Sequence, residues 1–212
     1  MAQQERLERE NNMIGKWNKS VILTYIGLGI AILGILLVLF GIDIKYAFIC
    51  LIVSGICDLF DGTIARKVKR TKEEKAFGIE LDSLVDVISF IALPLVLVGV
   101  INYNLWILPL LVIYGIFAIA RLAHFNITST PSNKPIKYYE GLPVTYAALV
   151  FPIIYLLSYF IKDLPFVIIY DLVFFLVSIL FIIKVKIPKP RLTSSLLLVV
   201  VAIAVTIIYI FI

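Results

Sequence analysis

Charge is the scarcest commodity in this chain. Of 212 residues only 16% are Asp, Glu, Lys or Arg while 62% are hydrophobic, against about 25% charged in an ordinary soluble domain. That shortage excludes a soluble enzyme, a disordered regulator and a secreted disulfide scaffold. Cysteine is nearly absent too. Cys50 and Cys57 sit seven residues apart in an apolar stretch, read as small buried hydrophobes, and carry no information on redox compartment. One histidine, His124, stands alone and reads as an interfacial residue rather than a catalyst. No internal repeat or low-complexity tract is present. The net charge of +5 is better explained by basic residues facing an anionic membrane surface than by nucleic acid, and no nucleic-acid partner is expected.

What the chain has in abundance is long uncharged runs. A membrane helix needs about 20 mostly apolar residues. Ser20 to Ile42 carries no charge, Gly141 to Ile161 and Leu192 to Ile212 are uncharged runs of 21 residues each, and Val87 to Ala120 runs for 34. The last is too long for one span, and its polar break at Asn102-Tyr103-Asn104 marks a tight turn between two helices. Two further spans, about 45–64 and 164–184, are interrupted by Asp58 and Asp61 and by Asp171. The pattern predicts an all-α polytopic membrane bundle of seven spans starting near 20, 45, 79, 105, 142, 164 and 191. The first apolar run is of full span length and lacks a small-residue cleavage site, so no cleaved signal is expected. Residues 1–19 mix Leu7, Ile14 and Trp17 with Glu and Arg, as suits a surface helix. Gly27, Gly29 and Gly34 in the first span permit close helix packing.

Lys and Arg are partitioned by loop. The N-terminal segment holds four, the loop after span 2 six, the segment after span 4 three and the loop after span 6 four, whereas the opposite side has only Lys45 and Lys162. Seventeen against two places the N-terminus and these basic loops in the cytoplasm and, after an odd number of spans, the C-terminus outside.

An acid inside a membrane span is a functional-site hypothesis by default, because it costs several kcal/mol unless paired, coordinated or wet. Asp58 and Asp61 are three residues apart near the end of span 2, and Asp82 and Asp86 are four apart at the start of span 3, so each pair shares a helix face. The two spans leave the same loop in opposite directions, which brings all four carboxylates to one depth near the inner surface. Like charges this close repel strongly. Divalent cations relieve the repulsion, and an all-oxygen donor set suits Mg²⁺, Mn²⁺ or Ca²⁺ rather than zinc. Gly62, Ala65 and Gly78 leave helix surface bare for a phosphate ligand to approach, and Arg66 offers a planar fork to a phosphate oxygen. The combination fits a pyrophosphate-like ligand and in-line displacement at phosphorus, in which two metal ions can act together. Two other readings are open: interfacial acids paired with the Lys and Arg of the following loop, or a cation transporter lined by the four acids. A permeation path, however, should place acids at several depths.

Asp58-x2-Asp61-Gly62-x2-Ala65-Arg66 followed by Gly78-x3-Asp82-x3-Asp86 resembles the signature of the CDP-alcohol phosphotransferases, integral membrane enzymes of phospholipid synthesis. The resemblance covers residues 58–86 and fixes eight positions. It implies attack of a hydroxyl on the β-phosphorus of a CDP-lipid with release of CMP, a six-helix core over 20–184, and commonly a homodimer; the basic loop and added C-terminal span of 185–212 stand outside that core. By position it implies that Asp58, Asp61 and Asp82 are metal ligands and that Asp86 is the general base, also able to touch a metal. The resemblance further implies a divalent metal cofactor, Mg²⁺ or Mn²⁺ or else Ca²⁺, as two ions. Gly62, Ala65, Arg66 and Gly78 would line the CDP site, with Thr24 and Thr71 as further contacts. The Arg66 to Gly78 gap of eleven residues is longer than in many members.

Asp82-Ser83-Leu84-Val85-Asp86-Val87-Ile88-Ser89-Phe90 with Pro94, Arg121-Leu122-Ala123-His124-Phe125-Asn126 and Tyr139-Glu140-Gly141-Leu142-Pro143 resemble the phosphatidylserine synthase branch, which implies L-serine as acceptor. A zwitterion needs a cation for its carboxylate and acceptor groups for its ammonium. Arg121, Asn126 and Lys134 are the candidate serine contacts, with Lys137 beside Lys134 in a lid. Glycerol phosphate or inositol phosphate as acceptor would call for a denser cluster of cations. Asp171, beside Tyr170 in span 6, is given no catalytic role, and the lipid portion, diacylglycerol or archaeol, is left open.

Overall fold

The computed structural model describes residues 14–129, 138–161, 165–188 and 192–212. Lys134 and Lys137 lie outside the described residues, as does most of the expected surface helix; the part of it that is described, 14–19, forms bends and turns.

Among the described residues seven helical rods follow one another. Helix α1 spans Ile22–Leu39, α2 Ile44–Lys67 and α3 Lys72–Asp86; α3 continues through a π-helical segment, Val87–Ala92, into α4, Leu93–Ile101. A 3₁₀ turn at Leu105–Ile107 opens α5, Leu108–Ser129, and another at Val144–Tyr146 opens α6, Ala147–Phe160. Helices α7, Phe166–Ile182, and α8, Leu192–Phe211, complete the bundle. Five rods are long and apolar enough to cross a bilayer, and two more apolar helices cover Val144–Phe160 and Phe166–Ile182. At 1.5 Å per residue those two measure about 26 Å, close to the hydrocarbon thickness of about 30 Å. The protein is therefore a multi-pass membrane protein, and the rods fall where the uncharged runs predict them.

One boundary moves. The third rod starts at Lys72 rather than near 79, because Thr71 caps it: the Thr71 hydroxyl accepts from Glu74 N at 3.2 Å and the Glu74 carboxylate accepts from Thr71 N at 2.7 Å. This reciprocal pair satisfies two otherwise orphaned donors. The N-terminal segment fastens on the same turn. Asn18 Nδ2 donates to Glu74 at 2.9 Å, Lys16 pairs with Glu73 at 3.0 Å, and Trp17 stacks on Tyr25.

The spans pack through small residues. A Cβ on Gly34 would lie 2.9 Å from Cys50 Cβ, and one on Gly27 3.1 Å from Cys57 Cβ. Both cysteines are free and buried in that α1–α2 seam. The α2–α6 seam is tighter still, since a Cβ on Gly55 would stand 2.5 Å from Ala148 Cβ. Gly55→Ala must push the two helices apart and is expected to lower the thermal unfolding midpoint in detergent, by the equivalent of about 1–3 kcal/mol. Gly29→Ala is the internal control: nothing lies within 4 Å of its Cβ position, so the midpoint should hold or rise.

A short antiparallel ribbon, absent from the sequence expectations, joins β1, Tyr138–Glu140, to β2, Lys186–Pro188, with Tyr139 opposite Ile187. It ties the entry of α6 to the exit of α7. Gly141 follows at φ +76°, where a Cβ would lie 2.7 Å from Phe181 O, so only glycine fits. Its N–H donates to Val185 O and that of Leu142 to Leu180 O, each at 2.9 Å. Helix α8 packs on α2 and α6, and the Tyr209 hydroxyl donates to Pro152 O at 2.7 Å.

Candidate active site

Helices α2 and α3 leave a short loop in opposite directions, and the acids of each converge. Single carboxylate oxygens of Asp58, Asp82 and Asp86 all lie within 4.8 Å of one another. The fourth acid, Asp61, stands beside them. It accepts a 2.8 Å hydrogen bond from the Thr24 hydroxyl and interacts with Asp82. Asp61 and Asp86 are buried.

Carboxylates at this range repel by on the order of 3 kcal/mol per pair at an effective dielectric constant of about 20. The basic loop does not relieve this: among the described residues the side-chain ion pairs are Lys16–Glu73 and His124–Glu140. Three converging carboxylates with a fourth in reserve form an all-oxygen donor set, which fits a hard divalent cation.

A cavity of about 550 Å³ opens beside the cluster, lined by Asp58, Asp82 and Asp86 together with Gly62, Thr63, Arg66, Arg121, Phe125 and Tyr139. Its lining on α2 extends from Arg66 to Ile52, about 21 Å of helix, so it runs from the loop end deep into the bundle. Ile56, Leu59, Ala148 and Leu149 make it apolar along that length, and Leu196, Val199 and Ala202 of α8 contribute a wall.

Arg66 lies along the bare face of Gly62: its Nη1 is 3.7 Å from the position a Gly62 Cβ would take, and its Nη2 donates to the Thr63 hydroxyl at 3.0 Å. Arg121 is buried, 6% exposed, with its guanidinium 4.9 Å from the centre of the Phe125 ring. Its charge faces Asp86 and Tyr139, and its Nε has no hydrogen-bond partner among the described residues. A buried guanidinium with an unused donor is costly to leave so, and a bound anion would satisfy it. Burial holds the Tyr139 hydroxyl above its ordinary range while Arg121 pulls the other way, so at neutral pH it is an uncharged phenol.

The remaining sequence candidates fall elsewhere. Thr24 shares a small recess with Asp58, Asp61 and Asp82, and its hydroxyl serves Asp61. Thr71 is engaged as the α3 cap. Ala65 and Gly78 are outside the cavity lining, and the Arg70 guanidinium occupies the bare side of Gly78, 3.5 Å from where its Cβ would be. Asn126 Nδ2 donates to the Ser83 hydroxyl at 2.7 Å. Asp171 accepts from Asn102 Nδ2 at 2.7 Å, remote in sequence from the cluster. Sequence reasoning gave no role to Thr63, Phe125 or Tyr139, which line the cavity; the last two lie inside segments that carried the branch resemblance, and that was the available signal.

Fold and site together define a polytopic helical membrane protein with a carboxylate centre in the wall of a partly apolar cavity. The chain belongs to the CDP-alcohol phosphatidyltransferase family, whose model matches residues 17–211. It is 35% identical over 122 residues to a CDP-diacylglycerol–serine O-phosphatidyltransferase of Helicobacter pylori, covering 55% of this chain and 49% of that protein. It is 33% identical over 134 residues to the archaetidylserine synthase of Methanothermobacter thermautotrophicus, covering 60% and 54%. With the CDP-diacylglycerol–serine O-phosphatidyltransferase of Saccharomyces cerevisiae it shares 37% over 115 residues, covering 49% and 40%. The chain spans about half the length of the curated relatives it matches.

Proposed function

We propose that the chain transfers the phosphatidyl or archaetidyl group of a CDP-lipid to the hydroxyl of L-serine and releases CMP. The observation that carries this reading is the meeting of Asp58, Asp82 and Asp86 at one point of a cavity that also holds Arg66 and Arg121. The names of the relatives support serine as acceptor.

In the proposed reaction the serine oxygen bonds to the β-phosphorus as the bridging oxygen to the α-phosphate departs with CMP, and Asp86 takes the hydroxyl proton. Asp58, Asp61, Asp82 and Asp86 would hold Mg²⁺, Mn²⁺ or Ca²⁺, one ion or two. When bound, such a cation neutralises phosphate charge and lowers the barrier to displacement. Arg66 binds a phosphate oxygen, with Gly62 leaving room for the nucleotide, and Thr24 acts through Asp61. Arg121 takes the serine carboxylate with Tyr139 beside it, while Asn126 and Lys134 complete the acceptor side. The lipid chains follow the apolar lining along α2, α6 and α8. Seventeen of nineteen cations on one side support a cavity open to the cytoplasm, the N-terminus inside and the C-terminus outside. A homodimer is the expected assembly.

The test is CMP release by purified protein given CDP-lipid, Mn²⁺ and one acceptor at a time. CMP is expected with serine, not with glycerol phosphate or inositol phosphate, and EDTA should stop it. Release with a phosphorylated acceptor alone would overturn the serine assignment.

A further inference from the structure

Along the third rod the buried positions recur every four residues: Val85 and Asp86, Ser89 to Ile91, Leu93 and Pro94, Leu97 and Val98. A strict four-residue repeat does not stay on one side of an α-helix. It precesses about 40° per repeat, about 120° over three. A straight helix that packed Leu97 and Val98 into the core would therefore swing Asp82 and Asp86 away from Asp58. The π-helical segment Val87–Ala92 removes the discrepancy, because a wide turn acts as one inserted residue and resets the phase by about 100°.

That turn is held from outside. Pro94 has no N–H to return to Phe90 four residues earlier, and the Tyr114 hydroxyl on α5 supplies the donor, 2.7 Å from Phe90 O. Tyr114 is fully buried, and its ring stacks on Phe174 of α7 with centroids 4.2 Å apart. On the opposite side the Ser54 hydroxyl lies 2.9 Å from the Ser89 hydroxyl and 3.1 Å from Gly27 O, pinning the same segment to α2 and α1.

We infer that Tyr114 is a positioning residue for the carboxylate centre: by holding the Phe90 carbonyl it keeps the wide turn that aims Asp82 and Asp86 at Asp58. Tyr114 does not line the cavity and acts only through the helix that carries the acids. The inference rests on reading the cluster as a cation-dependent site, and it does not depend on which acceptor is used.

The experiment titrates Mn²⁺ into the purified full-length protein in detergent, without CDP-lipid or serine, and follows free Mn²⁺ by EPR. Tyr114→Phe, which removes only the hydroxyl, is expected to weaken Mn²⁺ binding about fivefold or more. Phe174→Leu loosens the same stack without touching that hydroxyl; it should lower the unfolding midpoint and leave Mn²⁺ affinity within about twofold. Equal affinity in wild type and Tyr114→Phe overturns the inference, and so does an equal loss in Phe174→Leu, which would make the effect one of general packing. If Tyr114→Phe does not fold, Ser89→Ala is judged by the same criterion. Wild-type protein that binds Mn²⁺ but yields no serine-dependent CMP would refute the acceptor reading alone.

Discussion

Asp86→Asn is expected to reduce CMP release by about 10³-fold or more while CDP-lipid still binds. The substitution keeps the shape of the side chain and removes its ability to take a proton. General-base assistance accounts for about 10²–10⁴ in rate, and Asp86 also contributes an oxygen to the group formed with Asp58 and Asp82, so the loss should sit at or above the upper part of that range. In the proposed reaction the nucleotide head is bound by other groups, chiefly Arg66 beside the bare face of Gly62. Equilibrium binding of a CDP-lipid to the variant, set beside its single-turnover rate, separates the two. Normal turnover would remove Asp86 from the role of base.

Arg121→Lys carries the second large effect. Lysine keeps the charge but not the planar fork that matches a carboxylate. A hydrogen bond to a charged group contributes about 1.5–3 kcal/mol, so KM for serine should rise about tenfold to a hundredfold, with KM for CDP-lipid changed by less than about twofold. Ethanolamine, which is serine without the carboxylate, supplies the complementary reading. Wild type should prefer serine strongly, and Arg121→Ala should narrow the gap between the two acceptors. An unchanged serine KM in Arg121→Lys would show that the carboxylate is bound elsewhere.

Both predictions use residues that stand out in the sequence for a physical reason. In a chain with so few charges, an acid inside an apolar run stands out, helical spacing turns Asp58 with Asp61 and Asp82 with Asp86 into faces, and Arg121 closes a long uncharged run where positive-inside anchoring is the other reading. The rods were legible for the same reason: uncharged length is a one-dimensional property. What depends on contacts between distant segments was not legible. The pairing of Tyr139 with Ile187, the Arg70 guanidinium over Gly78 and the α8 wall of the cavity each join residues that no local pattern connects. Thr71 shows the opposite case, where a local signal was present and was assigned to a ligand: Thr-x-x-Glu is a helix start, and the third rod begins there. The wide turn after Asp86 lies between. Its cause, a four-residue burial repeat, becomes visible only once burial is known, although Pro94 marks the place.

Transfer to the serine hydroxyl is tested most directly by an isotope. With serine carrying ¹⁸O in its hydroxyl, CDP-lipid and Mn²⁺, mass spectrometry of the products reports which P–O bond forms. The label is expected in the lipid product, one atom per serine incorporated, with none in CMP. Unlabelled lipid product, or label in CMP, would contradict attack by the serine oxygen on the β-phosphorus.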